Sequence, residues 1–165
     1  EDQRFASTRP DVLTYVSEPL TEDLTIAGPI LANIFVSTTG TDSDWIVKLI
    51  DVYPPSQWYP HGYHLNLSDS IIRLRYRNGD GRTDFLPPGE STEITIVLYP
   101  TSNLFVRGHC IRLDISSSNF PRFDVNPNTG DFSGTERTRL IAENTVHHSS
   151  LYPSHVVLPI VGIGD

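Results

Sequence analysis

Apolar residues in this chain recur with a period of two and nowhere hold a helical period for three turns. In "EITIVLY", Ile94, Ile96 and Leu98 share one side, while Thr95, Val97 and Tyr99 share the other. "IRLDIS" sets Ile111, Leu113 and Ile115 against Arg112, Asp114 and Ser116. The first three are expected to point inward and the others outward. "ILANIFVST", "WIVKLIDVY", "IIRLRYR" and "SHVVLPIVG" read the same way, and Trp45 opens its run as a core residue. The 13 prolines and 11 glycines fall almost wholly between these runs, where they break them into short pieces. About eight to ten short strands at this spacing predict an all-β, antiparallel sandwich, most simply a jelly roll. Helix is expected only as a turn or two near Thr135–Glu143.

Neither a linker nor an internal repeat divides the chain, so residues 1–165 read as one domain, long enough to bury a core. The turns carry their own signals. "NGDGR", Asn78–Arg82, has two glycines for a hairpin, and "PPGE", Pro87–Glu90, leads into a strand. "TGTDSD", Thr39–Asp44, is a polar connection between two others.

Charge and hydropathy exclude some functions. A net charge of -8 repels phosphate backbones, so nucleic acid is not an expected partner. No apolar run approaches the roughly 20 residues of a membrane span, and "EDQRFASTRPDV" lacks the character of a signal peptide. The single cysteine, Cys110, fits the alternation as a small core residue. Methionine is missing altogether, which suggests a processed product or a piece of something longer.

A G-x-S-x-G elbow does not occur. The nearest approach, "GES" at Gly89–Ser91, lies between a turn and a strand, whereas an elbow joins a strand to a helix. Cys110 has no protease-like context. His61 and His64 are spaced for a helix, not a strand, and His147 and His148 would face opposite sides of a strand. None offers the further ligands zinc needs, so neither metal nor cofactor is expected. Asp42 with Asp44, and Asn126, Asn128 and Asp131, have the oxygens for calcium but lack a full ligand spacing; solvated turns are the simpler account. Trp58, Tyr59 and Tyr63 cluster in a proline-bounded loop, "QWYPHGY". Such rings either stack on sugars or fold onto the sandwich edge.

The segment Ser116–Gly130, "SSSNFPRFDVNPNTG", packs two prolines, three asparagines and a glycine directly after a strand. It reads as a recognition loop or as a rigid corner. In the order "DSDWIVKLIDVYP", "IIRLRYR", "LPPGE", "TSNLFVRGHCIRLDISSSNFPRFDVNPNTG" and "HSSLYPSHVVLPI", the chain resembles the C-terminal, X-Pro dipeptidyl-peptidase C-terminal-like domain of CocE/NonD hydrolases. The likeness runs from about Asp2 to Ile160.

The resemblance implies a galactose-binding-like jelly roll standing after an α/β-hydrolase domain of the same polypeptide. It also implies that the triad Ser, Asp and His lie in that upstream domain, which the sandwich would stabilise while bordering its cleft. "PSQWYPHGYHLNLSDS" inherits no role from it, so an independent carbohydrate-binding module using Trp58, Tyr59 and Tyr63 is the alternative. On this reading the loop is a stiff corner at the domain seam. Asn119, Asn126 and Asn128 would close Asx turns, Pro121 and Pro127 would fix φ, and Phe120 and Phe123 would anchor the partner domain.

Overall fold

The computed structural model describes residues 2–131 and 138–162. Eight strands appear among them: β1 (Val12–Val16), β2 (Leu24–Thr38), β3 (Asp44–Tyr53), β4 (Tyr63–Arg73), β5 (Thr92–Phe105), β6 (Cys110–Ser116), β7 (Asn144–His147) and β8 (His155–Val157). They form two antiparallel sheets. One runs β1-β6-β3-β4; the other runs β5-β2-β7, with β8 also pairing β2. β7 and β8 thus lie end to end along the same edge of β2.

Nearer the start of β2, Gly28, at φ 135°, and Pro29 form a bulge where the register with β5 shifts. A proline in a strand is tolerated at such a site, since the ladder is already interrupted there. The core lies between the sheets. Ile26, Ile30, Ile34 and Val36 of β2 and Ile94, Ile96 and Leu98 of β5 meet Trp45, Val47, Leu49 and Ile115 of the other sheet. Each large apolar side chain buried there contributes about 1.5–3 kcal/mol.

The alternation predicted for β5 is seen, with the residues between Ile94, Ile96 and Leu98 exposed. In β6 the expectation fails for two residues. Arg112 and Asp114 are buried. They do stand on the sheet's outer face, but Asp2–Asp11 crosses that face as a strap with one short 3-10 turn, Ala6–Thr8. Arg112 reaches the Gln3 carbonyl at 3.3 Å, and Lys48 donates to the Gln3 side chain at 3.2 Å. Ile46 and Ile50, also on the outer side, are fully buried. Cys110, expected in the core, is only half-buried at the end of β6, and burial with nearby Glu18 raises its thiol pKa.

Two further expectations change. "NGDGR" makes no hairpin, because the chain turns into a 3-10 helix at Leu74–Tyr76 and the next strand begins only at Thr92. Leu74 is drawn into the core there, and the Arg75 amide is held by Asp42 at 3.0 Å. Gly79 and Gly81 do take positive φ, as that turn chemistry requires. Of the segment Thr135–Glu143, residues 135–137 lie outside the described residues, and 138–143 are not helical. Leu140 N donates to the Pro127 carbonyl and Thr39 N to the Glu143 carbonyl, so this backbone is engaged with other segments.

Candidate functional site

The loop Ser116–Gly130 is held from within. Asn126 accepts from the Asn128 amide at 2.9 Å, an Asx turn that lets Asn128 adopt φ 64°. Its side-chain amide donates to Asp42 at 2.9 Å and to Asp44 at 2.8 Å. Asn128 Nδ2 donates to the Leu140 carbonyl at 2.9 Å. Asn119 makes no Asx turn; its amide donates to Asp69 at 3.3 Å instead. Asp69 also pairs with Arg122 at 2.9 Å.

The oxygen cluster expected to be solvated is instead buried and ion-paired. Arg73 forks onto Asp44 at 2.8 and 2.9 Å, and Arg75 Nε stands 3.2 Å from Asp42. Arg75 also donates to the carbonyls of Gly130 and Asp131. Two guanidinium groups thus occupy the carboxylates that calcium would need. Among the described residues no three His, Cys, Asp or Glu side chains are placed to hold a metal ion.

Within this stiff frame the candidate docking rings separate. Phe120, beside the exposed Pro121, is 72% exposed, whereas Phe123 is half-buried under the Arg122 guanidinium at 5.6 Å. Asn126 is an internal clamp; Asn119 and Asn128 are partly accessible.

The aromatic loop is largely self-satisfied. Tyr59 and Tyr63 stack on one another with centroids 5.0 Å apart, and Tyr53 meets both edge-on. Trp58 alone projects, 79% exposed. Behind the cluster lies a pair that alternation did not reveal. Buried His109 Nδ1 is 2.8 Å from buried Asp51, which also accepts from Asn103 at 3.2 Å. The His109 ring packs 4.3 Å from Tyr53. Burial, with Asp51, Tyr59 and Tyr63 nearby, raises the Tyr53 pKa.

A serine–histidine contact is also present that no sequence motif marks. His147 Nε2 lies 2.9 Å from Ser37 Oγ and 3.3 Å from Ser91 Oγ. Among the described residues no carboxylate hydrogen-bonds this imidazole, whose face packs against Tyr152 at 5.3 Å. It joins β7 to β2 and to the segment before β5, and it lacks the third group that orients a catalytic base.

The family model described as the X-Pro dipeptidyl-peptidase C-terminal non-catalytic domain matches residues 2–157. Cocaine esterase from Rhodococcus sp. (strain MB1 Bresler) is 40% identical over 162 residues, covering 97% of this chain and 27% of that protein. An aminopeptidase from a marine sediment archaeon, Thaumarchaeota archaeon, superposes with a TM-score of 0.89 at 36% identity, over 98% of this chain and 28% of its own. An α-amino acid ester hydrolase gives a TM-score of 0.89 at 39% identity, over 98% and 27%. The chain therefore spans about a quarter of the length of the relatives it matches.

Proposed function

The chain belongs to the X-Pro dipeptidyl-peptidase C-terminal non-catalytic domain family of CocE/NonD-type hydrolases, and we propose that it braces the α/β catalytic domain of a longer serine hydrolase. The parent reaction is ester or amide hydrolysis through an acyl-serine intermediate whose triad lies in that other domain. This sandwich stabilises the catalytic domain and borders its cleft.

The observation that carries the reading is Phe120: a large ring, 72% exposed, on a loop whose backbone is clamped by Asn126 and Asn128. Ordering such a loop on docking costs little further entropy, so burying the ring contributes nearly in full. Asn119, Pro121 and Phe123 flank it at the same seam. The carbohydrate-module reading keeps Trp58 and Tyr59, which are 79 and 41% exposed, but Tyr59 and Tyr63 already turn one face each to the other.

The test is made in the full-length hydrolase. Phe120→Ala should lower its thermal stability and speed hydrogen exchange along the seam, and removing residues 1–165 should do so more severely. Unchanged stability after that removal would refute the bracing role.

A further inference from the structure

The first residues of the strap, Asp2–Arg4, are fastened around His64 of β4. The Gln3 amide donates to the His64 carbonyl at 2.9 Å, and the His64 amide donates to Asp2 at 3.4 Å. The Gln3 carbonyl accepts from Arg112 Nη2 at 3.3 Å. Arg112 is 1% exposed and forks onto Asp114 through Nε and Nη2 at 2.8 and 2.6 Å. Its Nη1 points at His64 Nδ1, 2.6 Å away. One buried guanidinium thus ties the strap, β6 and the His64 ring together.

That last contact fixes the protonation state of the ring. A guanidinium only donates, so His64 Nδ1 must accept and the imidazole must be neutral. A proton on Nδ1 removes the acceptor and sets two cations against each other at hydrogen-bond distance. The charged groups facing the ring are Arg112 and Asp114 from β6 and Asp2 and Arg4 from the strap. β3 presents only Val52 opposite it. Both carboxylates are already engaged. Asp114 is held by Arg112, and Asp2 accepts from Arg4 Nε at 2.7 Å and from the Arg4 amide at 3.1 Å.

We propose that His64 is a pH-operated latch. Neutral, it holds the start of the strap on the sheet; protonated, it lets residues 2–4 lift away while the sandwich stays folded. Lifting the strap leaves the packing between the two sheets intact, because the main core includes no strap residue. Burial and the Arg112 charge hold the His64 pKa below its ordinary value of 6.5. Opening hydrates the ring, so the open form binds the proton more readily. Closure is therefore complete above about pH 6.5 and is lost as pH falls. Arg4 holds the Asp2 carboxyl below its ordinary range, so Asp2 stays ionised throughout this window. The His61 carbonyl accepts from Arg4 at 3.0 Å, but its ring makes none of these contacts.

The test follows the Gln3 amide by NMR-detected hydrogen exchange in the full 165-residue chain, with rates corrected for the intrinsic effect of pH. At pH 7.5 this amide should exchange faster than the slowest amides of β2, since the strap opens without the core. Between pH 7.5 and 5.5 its protection should fall about three- to tenfold, the range one displaced imidazole can supply. His64→Gln keeps an oxygen for Arg112 and cannot titrate, so it should abolish that fall; His61→Gln should leave it in place. A second readout needs no variant: titration of the His64 ring followed by NMR should give a pKa below 6.5. A value at or above 6.5 overturns the proposal. So does a Gln3 amide that exchanges only with the slowest β2 amides, because the strap then opens only on global unfolding. Protection that ignores pH, or a pH dependence that persists in His64→Gln, overturns it equally.

Discussion

Where β4 meets β5, Ser68 Oγ donates to the Tyr99 carbonyl at 2.8 Å, and Asp2 bridges to Leu65 of β4. Where β1 faces β7 and β8, the rings of Tyr15 and His148 meet edge to face at 6.0 Å over an apolar recess. The two flanks belong to the same pair of sheets, yet one is stitched by hydrogen bonds and the other leaves the half-buried side chains of Leu113 and Val156 lining an open groove. Nothing in strand propensity separates them: Val12–Val16 is as good a strand as Tyr63–Arg73. What differs is what lies over them.

Substitutions at self-completed sites should act equally in the short chain and in the full-length hydrolase, whereas those at the seam loop Ser116–Gly130 should not. The largest shared effect belongs to the ionic cluster. Asp42→Ala removes the carboxylate that faces Arg75, whose side chain is 3% exposed, and that also accepts from the Arg75 backbone amide and from Asn126. Denaturant unfolding should show a loss of about 3–5 kcal/mol in both contexts. Ser68→Ala removes one interstrand hydrogen bond and should cost about 0.5–1.5 kcal/mol, again in both.

Acid should loosen the strap over the sheet. Burial and the Arg112 guanidinium, whose Nη1 lies 2.6 Å from His64 Nδ1, hold the His64 pKa below its ordinary value of 6.5. The unfolded chain then binds the proton more readily than the folded one, so the stability His64 provides is present above about pH 6.5 and is lost as pH falls. Thermal melts at pH 7.5 and 5.5 should show that loss, and His64→Gln should flatten it. The smallest effect belongs to the open flank. In the short chain Leu13→Lys should change stability by no more than about 0.5 kcal/mol.

The two-layer architecture was legible because β5 alternates cleanly, with one face buried and one exposed. The same rule misjudged β6, since alternation reports two faces and cannot say that the strap Asp2–Asp11 covers the outer one. Arg112 and Asp114 are buried for that reason. At the candidate site the stiffness of Ser116–Gly130 was readable in part, from the local Asx turn that Asn126 closes on the Asn128 amide. That Asn126 would clamp Asp42 and Asp44, some 80 residues away in sequence, was not. The Asp51–His109 pair and the contact of His147 with Ser91 were hidden likewise, because they depend on pairings between distant strands. The open flank leaves no mark in composition at all; it appears only once the strand order is known.

The central claim is that this sandwich braces the catalytic domain of a longer hydrolase through the loop Ser116–Gly130. Hydrogen exchange measured by mass spectrometry on that loop and on β4, in the short chain and in the full-length hydrolase, tests it most directly. The account predicts strong additional protection of the loop in the full-length protein and little change in β4. Equal loop exchange in the two proteins would contradict it.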